Sequence, residues 1–271
     1  MQIFDFNIHL PYVIDEDVNV VIHQDMNLDL DGIQKGFELH FPVIQKCNGA
    51  NLFLFNTNLF NDDVSTFFKF VGTAIKNIKY TALVDFRNKD VFEYIDKIKQ
   101  YGVHAIMLNS YIQQISESDF TEVIKVCRYA ADNQLIVCID GSYGTSKMYA
   151  YDNLKLACAV ADFIACTPIV IVHCGGYRLI EAMLLAADKK NVWLDTSFSL
   201  PYYHESSIEK DFAYVMRKMN MERIVFGSDH PYIYFDDALS KHLTFLNKFN
   251  FSSDQIEMVM CLNALQLFDG K

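Results

Sequence analysis

Polar side chains that could carry acid–base or metal chemistry end several short apolar runs of the chain. His9 is the second-last residue of "IFDFNIHL", Asp140 ends "LIVCID", His173 ends "IVIVH" and Asp229 ends "IVFGSD", while Asn7 lies two residues before His9. Imidazole and carboxylate groups transfer protons near neutral pH and bind metal ions. Because these groups recur at the same place in successive runs, the sequence predicts one site built from strand ends.

The elements that must position these side chains are eight strand-like runs separated by helically periodic segments. β-Branched and aromatic residues favour strands, and the runs are "QIFDFNI", "NLFLFNT", "YTALVDF", "HAIMLNS", "LIVCIDG", "IVIVHCG", "VWLDTSF" and "RIVFGSD". Strands that alternate with helices indicate parallel βαβ units, and eight such units predict an α/β fold of the (β/α)8 TIM-barrel type. An open doubly wound sheet is the alternative, but no G-x-G-x-x-G follows the first run.

Alternation along the first strand predicts which of its side chains enter the barrel. One face would pack on helices and carries Phe4, Phe6, Ile8 and Leu10. The other face would line the interior and carries Ile3, Asp5, Asn7 and His9. Barrel chemistry lies at the C-terminal ends of strands. Structural roles remain open for single residues, such as a turn at Asp140 or a hydrogen-bonded core position at His173.

Other residues near strand ends are candidates for substrate binding. Arg87 could hold a carboxylate through two parallel hydrogen bonds. Arg178 follows two glycines at a predicted helix N-terminus, which suits an anion, although a surface salt bridge explains it equally well. Asn109 ends the fourth strand, and Tyr143 and Tyr177 are predicted to wall the pocket.

Length and composition favour one domain over residues 1–271, with an elaborated segment at 11–50 that holds a helix near 32–46. A net charge of -11 disfavours nucleic-acid binding, and no apolar run is long enough to span a membrane. The chain begins without a signal-peptide pattern, which predicts a cytoplasmic protein. Apolar surroundings predict buried, reduced thiols at Cys138, Cys158, Cys166, Cys174 and Cys261.

Four motifs, "DFNIH", "VHCGG", "WLDTS" and "RIVFGSDHPY", resemble the metal-dependent hydrolase superfamily. The resemblance is nearest to the amidohydrolase-2 type, which includes decarboxylases of the aminocarboxymuconate-semialdehyde kind and lactonases of the pyrone-dicarboxylate kind. "FGSDHPY" together with "HCGG" is the most specific part. The resemblance implies an amidohydrolase-like barrel, a small-molecule substrate and a homodimer.

The resemblance also implies a ligand set for one divalent ion. In the family, two first-strand histidines, a fifth-strand histidine and an eighth-strand aspartate hold the ion, often zinc, while a sixth-strand histidine acts on substrate. His9, Asp229 and His173 match by position, but Asn7 and Asp140 replace two histidines. Oxygen ligands suit harder ions such as Mn²⁺. Two alternatives follow: zinc or manganese held weakly by His9, Asp140 and Asp229, or a metal-free site in which Asn7 donates to substrate.

These observations favour hydrolysis of a C–O or C–N bond in a small, carboxylated substrate. Asp229 would be the general base, and His173 would polarise the carbonyl group or stabilise the oxyanion. A non-oxidative decarboxylase is the first alternative, because the same scaffold serves both reactions. A catalytically silent barrel used for binding is the second, and a nuclease of the superfamily is the third.

Overall fold

The computed structural model describes residues 1–10, 13–15, 18–21, 38, 41–55, 64–74, 77–143 and 146–270. Eight parallel strands form one sheet in the order β1-β4-β5-β6-β7-β8-β9-β10. They are β1 (Phe4–Leu10), β4 (Gly49–Leu54), β5 (Ile78–Leu83), β6 (Ala105–Leu108), β7 (Ile136–Asp140), β8 (Ile169–Val172), β9 (Val192–Asp195) and β10 (Ile224–Val225).

The sheet curves into a nearly closed barrel, because the first strand meets the segment around the last. The Phe6 amide donates to the Phe226 carbonyl oxygen at 2.9 Å, and the His9 amide donates to the His230 carbonyl oxygen at 2.9 Å. Each remaining strand pairs in parallel with the next one along the chain. The predicted (β/α)8 TIM barrel is therefore confirmed.

Amphipathic helices surround the sheet, as the periodicity predicts. They are α1 (Ser65–Ala74), α2 (Val91–Gln100), α3 (Phe120–Asp132), α4 (Ser146–Ala150), α5 (Asn153–Ala161), α6 (Leu179–Asp188), α7 (Ser199–Tyr202), α8 (Glu209–Lys218), α9 (Phe235–Lys248), α10 (Ser253–Glu257) and α11 (Asn263–Asp269). A π-helical turn, Met258–Leu262, joins the last two. The Ser252 side chain accepts from the Gln255 amide and caps α10, which fixes where that helix begins.

Two apolar layers result from alternation along the strands. The outer layer packs strands against helices and includes Leu52, Ile106, Ile139, Ile171 and Leu194. The inner layer fills the barrel and includes Phe4, Phe6, Phe53, Met107 and Trp193. Because side chains fill the interior, the barrel is a packed core and only its mouth can hold a substrate.

The first strand departs from strict alternation, so part of its prediction is wrong. Phe4 and Phe6 belong to the inner layer, and Ile3 belongs to the outer layer. The pairing of β1 with β4 shifts register between Asp5 and Ile8. Such a bulge places two successive side chains on the same side of a strand. Phe6 therefore fills the interior while Asn7, the next residue, still reaches the polar mouth.

The C-terminal helix closes the opposite end of the barrel. Phe268 of α11 packs against the inner layer, with its ring centroid 5.7 Å from that of Phe4 and 5.9 Å from that of Phe6. His104, directly before β6, contacts the same ring. The N-terminal end of the barrel is thus sealed by aromatic packing.

Part of the predicted 11–50 elaboration can be described. β2 (Val13–Asp15) and β3 (Val18–Val21) form an antiparallel pair that the sequence analysis did not predict. Residues 38 and 41–44 are helical, and the rest of the predicted 32–46 helix lies outside the described residues or past its end. Within the described ranges, no helix combines the length and apolar character needed to cross a bilayer.

The cysteine prediction is correct in part. All seven cysteines are free thiols, and Cys138, Cys174 and Cys261 are buried. Cys158 and Cys166 are exposed, so their predicted burial is wrong. The apolar run around Cys158 forms α5, and a helix turns some positions of such a run toward solvent even when most are apolar.

Candidate active site

A cavity of about 310 Å³ opens at the C-terminal ends of the strands. Its polar lining consists of His9, Asn109, Asp140, Ser142, His173 and Asp229. The fold therefore gathers side chains from five strand ends, and His9 and Asp229 meet although 220 positions separate them in the sequence. Of the predicted site residues, Tyr143 also lines the cavity.

Asp229 is held in a defined orientation in the segment that follows β10 (Ile224–Val225). Its backbone has a left-handed φ of 64°, and its amide donates to the Asn7 carbonyl oxygen at 2.9 Å. The Oδ1 atom accepts from His9 Nε2 at 2.8 Å and from Asn7 Nδ2 at 3.1 Å. Because an ionised carboxylate only accepts, His9 carries its proton on Nε2. Oδ2 accepts no hydrogen bond from the described part of the chain and remains available to a ligand.

His173 lies across the cavity from Asp229. Its Nδ1 is 3.1 Å from the Ser197 carbonyl oxygen, which can only accept, so Nδ1 carries a proton. Its Nε2 lies 3.8 Å from Asp140 Oδ2 and 3.8 Å from Asp229 Oδ1. These separations exceed a direct hydrogen bond, so one oxygen atom of a ligand can contact both the ring and a carboxylate.

The surrounding charges set the protonation of His173. Burial opposes the charged form, but the carboxylates of Asp229, Asp140 and Asp195 outweigh it and raise the pKa of His173 above its ordinary value. Burial in turn raises the pKa of Asp195. The raised pKa favours the imidazolium form, in which Nε2 presents an N–H donor to the cavity.

Asp195 and Ser197 form contacts with His173 that hold it in position. Asp195 Oδ2 accepts from the His173 amide at 3.2 Å and also from the Ser197 hydroxyl. The Ser197 hydroxyl oxygen, Oγ, lies 3.0 Å from His173 Nδ1. These contacts fix the ring against Phe198, whose centroid is 5.8 Å away. The "WLDTS" motif places Asp195 and Ser197 at a strand end, but the pattern alone does not show that they hold His173.

Asp140 combines the turn and the site interpretations. Its Oδ1 accepts from the Ser142 amide at 2.8 Å, which is the local turn contact. Its Oδ2 accepts from Asn109 Nδ2 at 2.9 Å and faces His173. Asn109 in turn accepts from the Ile112 amide at 3.0 Å. The predicted Asn109 therefore orients a carboxylate at the cavity wall.

Asn7 lies behind the cavity lining and is fully buried. Its amide nitrogen donates to Ser197 Oγ at 2.9 Å and to Asp229 Oδ1 at 3.1 Å. Both amide hydrogens are therefore used within the protein. The predicted donation from Asn7 to a substrate is wrong for this arrangement, and its contribution is to position Asp229.

The two candidate arginines bind other parts of the protein. Arg87 donates to the carbonyl oxygens of Gln113 and Gln114 and pairs with Asp119 at 3.2 Å. Arg87 does not line the cavity. Its predicted capture of a substrate carboxylate is absent from this geometry, because its guanidinium group ties the loop after β6 to the start of α3.

Arg178 shows the salt-bridge alternative. Its guanidinium group pairs with Asp152 at 2.9 Å and with Glu181 at 2.5 Å, and it also donates to the Tyr143 hydroxyl. These acids raise its pKa further above the ordinary arginine value. Neither Arg178 nor Tyr177 lines the cavity, and the Tyr177 ring is 45% exposed. Tyr177 instead packs edge-on against Tyr143 at 5.4 Å between centroids.

Apolar and aromatic side chains make up the rest of the cavity wall, and sequence reasoning missed them. They are Phe55, Tyr111, Ile112, Met148, Phe198, Tyr202 and Tyr232. Tyr232 closes the "FGSDHPY" motif and lies edge-on to His9 at 5.2 Å, so that motif could have identified it. The others come from loops after different strands and carry no shared sequence signal.

The donor atoms at the mouth do not fit the divalent ion implied by the resemblance. His9 Nε2 and Asn7 Nδ2 lie 2.8 Å and 3.1 Å from Asp229 Oδ1, so three of the four expected ligand positions are already hydrogen-bonded to one another. Turning the Asn7 amide over would set its oxygen against a carboxylate. Among the described residues, no three His, Cys, Asp or Glu side chains are placed to share an ion. The residues therefore form a hydrogen-bonded cluster.

A parallel (β/α)8 barrel with acids and histidines gathered at the C-terminal ends of its strands has the architecture of the TIM-barrel enzymes. The amidohydrolase family model matches residues 80–270, and the chain belongs to this family. The resemblance in the sequence motifs is thus confirmed. Members of the family are hydrolases and decarboxylases, and they often bind a divalent metal.

Solved structures with the same fold cover nearly the whole chain. An uncharacterized TIM-barrel protein from Bordetella bronchiseptica has 15% identity and a TM-score of 0.75, with 100% of both chains covered. A protein assigned as a 2-pyrone-4,6-dicarboxylic acid hydrolase from Acinetobacter baumannii has 13% identity and a TM-score of 0.63, covering 99% and 100%. A 5-carboxyvanillate decarboxylase from Sphingomonas paucimobilis has 14% identity and a TM-score of 0.66, covering 99% of each. No curated protein sequence matches the chain.

Proposed function

We propose that this barrel hydrolyses a C–O or C–N acyl bond of a small substrate, using its own side chains rather than a bound ion. The observation that carries this proposal is the placement of Asp229. Two donors, His9 and Asn7, fix its Oδ1 atom, which also lies 3.8 Å from His173 Nε2, while Oδ2 accepts no hydrogen bond from the described part of the chain. A fixed base facing a charged acid is the arrangement that water attack on a carbonyl group requires.

The reaction follows from these two groups. Asp229 Oδ2 accepts a proton from water as the water oxygen bonds to the carbonyl carbon. The carbonyl oxygen becomes negative and receives a hydrogen bond from His173 Nε2. When the tetrahedral intermediate breaks the C–O or C–N bond, protonated Asp229 returns its proton to the leaving group. Asp195 and Ser197 hold the imidazole ring in position throughout.

The decarboxylase alternative is retained because solved structures with this fold include decarboxylases. It would bring a substrate carboxylate next to the carboxylates of Asp140 and Asp229, and among the described cavity-lining side chains only His173 could offset that repulsion. Release of carbon dioxide from aromatic acids, together with no cleavage of esters, lactones or amides, would favour this alternative. A silent barrel would do neither.

The Asp229→Asn variant tests the mechanism on any ester, lactone or amide that the wild type cleaves. Loss of the general base is expected to lower kcat by about 10²–10⁴-fold. Asp236→Asn is the matched control, because that carboxylate is exposed and pairs only with Lys46 among the described contacts. Unchanged turnover in Asp229→Asn would refute the role assigned to Asp229.

Metal analysis tests the ion-free part of the proposal. Mass spectrometry of protein purified without chelator, before and after incubation with zinc or manganese, is expected to find well below one equivalent. One equivalent that disappears in Asp229→Asn would contradict it and restore the predicted ligand set of His9, Asp140 and Asp229.

A further inference from the structure

The cavity composition says more about the substrate than the family does, and the following rests on the proposed function. We propose that the site takes an uncharged, planar aromatic ester or lactone and rejects carboxylated molecules. This replaces the carboxylated substrate expected from Arg87 and Arg178. The two observations behind it are the aromatic wall and the sign of the charges inside it.

The aromatic wall consists of six rings that surround the polar floor, and they are Phe55, Tyr111, Tyr143, Phe198, Tyr202 and Tyr232. Several of them are locked by contacts with one another or with the reacting groups. Phe198 stacks on Tyr202 at 5.1 Å and 15° between planes. Phe55 and Tyr232 contact the His9 ring at 5.3 Å and 5.2 Å.

Pre-positioned ring faces favour a flat apolar ligand. Offset stacking and edge contacts of aromatic rings add to the free energy gained from burying their area. A cavity of about 310 Å³ is at the small end of the usual range for small-molecule sites. A one- or two-ring substrate with its acyl carbon between His173 and Asp229 matches this size.

Charge inside the cavity opposes an anionic ligand. Asp140 and Asp229 contribute two carboxylates, against one imidazolium at His173. No lysine or arginine is found among the lining residues that the structure describes. Arg87 and Arg178 are occupied by Asp119, Asp152 and Glu181. An added carboxylate would lose its hydration and find only the His173 ring to offset the repulsion of two carboxylates.

Binding of an isosteric pair tests the proposal independently of turnover. 2-Naphthamide and 2-naphthoate have the same ring system and differ in charge. Isothermal titration calorimetry at pH 7.5 is expected to give at least about tenfold tighter binding of the amide. Asp140→Asn removes one negative charge and should narrow that gap by strengthening naphthoate binding. Asp237→Asn, an exposed carboxylate paired with Lys241, is the matched control and should leave the gap unchanged.

Two results would overturn the proposal. One is naphthoate binding as tightly as naphthamide or more tightly, and the other is no binding of either compound up to its solubility limit. Hydrolysis of dihydrocoumarin, an uncharged aromatic lactone, separates this inference from the proposed function. Amide-selective binding without any turnover supports the substrate class and refutes the hydrolase mechanism. Turnover of esters together with naphthoate preference refutes the substrate class alone.

Discussion

The two ends of the barrel interior use the same strands for opposite purposes. At the N-terminal end, Phe4 and Phe6 fill the space and Phe268 seals it. At the C-terminal end, the interior positions carry acids and histidines around a cavity. The N-terminal end thus stabilises the fold by burying apolar area, while the C-terminal end holds polar groups that are costly to bury.

Two residues at the mouth have an uncommon backbone conformation. His173 and Asp229 have left-handed φ values of 63° and 64°, which are uncommon for residues other than glycine. Such positions persist only where surrounding contacts enforce them, and they concentrate at functional sites. The hydrogen bonds to Asp195 and to the Asn7 carbonyl oxygen provide those contacts here. The two left-handed positions at the mouth are thus held by the same contacts that orient the polar groups there.

Truncating an aromatic side chain at the N-terminal end of the barrel is expected to give the largest loss of stability. Phe6→Ala removes a fully buried ring that contacts Phe53 and Phe268, and it should lower the free energy of unfolding by about 3–5 kcal/mol. Urea titration measures the change. Phe163→Ala, at a ring 56% exposed, is the matched control and should cost about 0.5 kcal/mol or less. Equal losses in the free energy of unfolding of the two variants would contradict the stabilising role assigned to the N-terminal end of the barrel.

The pH dependence of stability tests the energetic cost of burying the Asp5 carboxyl group. Its Oδ2 atom is buried without a hydrogen-bond partner in the described part of the chain, and burial raises its pKa to about 7. Between the unfolded value of 3.8 and about 7, the folded state binds the extra proton. Stability is therefore present at low pH and lost as pH rises to 7.

The matching measurement is unfolding by urea at pH 5 and pH 8. Wild-type protein should lose roughly 3 kcal/mol over this interval through Asp5. Asp5→Asn keeps an oxygen for the amides of Asn7 and Ser228 but cannot ionise, so its loss should be smaller by that amount. The exposed Asp236→Asn should behave as wild type. Identical pH dependence in Asp5→Asn and wild type would refute the assignment.

The charge balance around His173 gives the smallest of these effects. Carboxylates hold the pKa of His173 above its ordinary value, so kcat/KM should decline only above that raised pKa, where the imidazolium is lost. Asp140→Asn removes one of these carboxylates, and the decline should move to lower pH. Profiles of kcat/KM against pH for Asp140→Asn and Asp237→Asn provide the comparison. A decline that stays in place or moves upward in Asp140→Asn would contradict the electrostatic explanation.

Local patterns were sufficient to predict the barrel, because strand and helix periodicities are written residue by residue. They also identified His9, Asp140, His173 and Asp229, since the last residue of a parallel strand must lie at the mouth. The phase of the first strand could not be predicted, because the bulge between Asp5 and Ile8 depends on how β1 pairs with β4. Alternation inside a single strand contains no information about its neighbour.

The sequence by itself thus determined the fold, the family and the end of the barrel where the polar cavity lies. Tertiary structure decided what each polar group does there. Arg87 and Arg178 were candidates for anion binding until the fold brought Asp119, Asp152 and Glu181 to them. Asn7 matches the position of a metal ligand in the sequence, but in the folded protein its amide group donates to Asp229 and Ser197. Charge pairing and hydrogen bonding depend on distances between residues far apart in the chain, which only the folded protein sets.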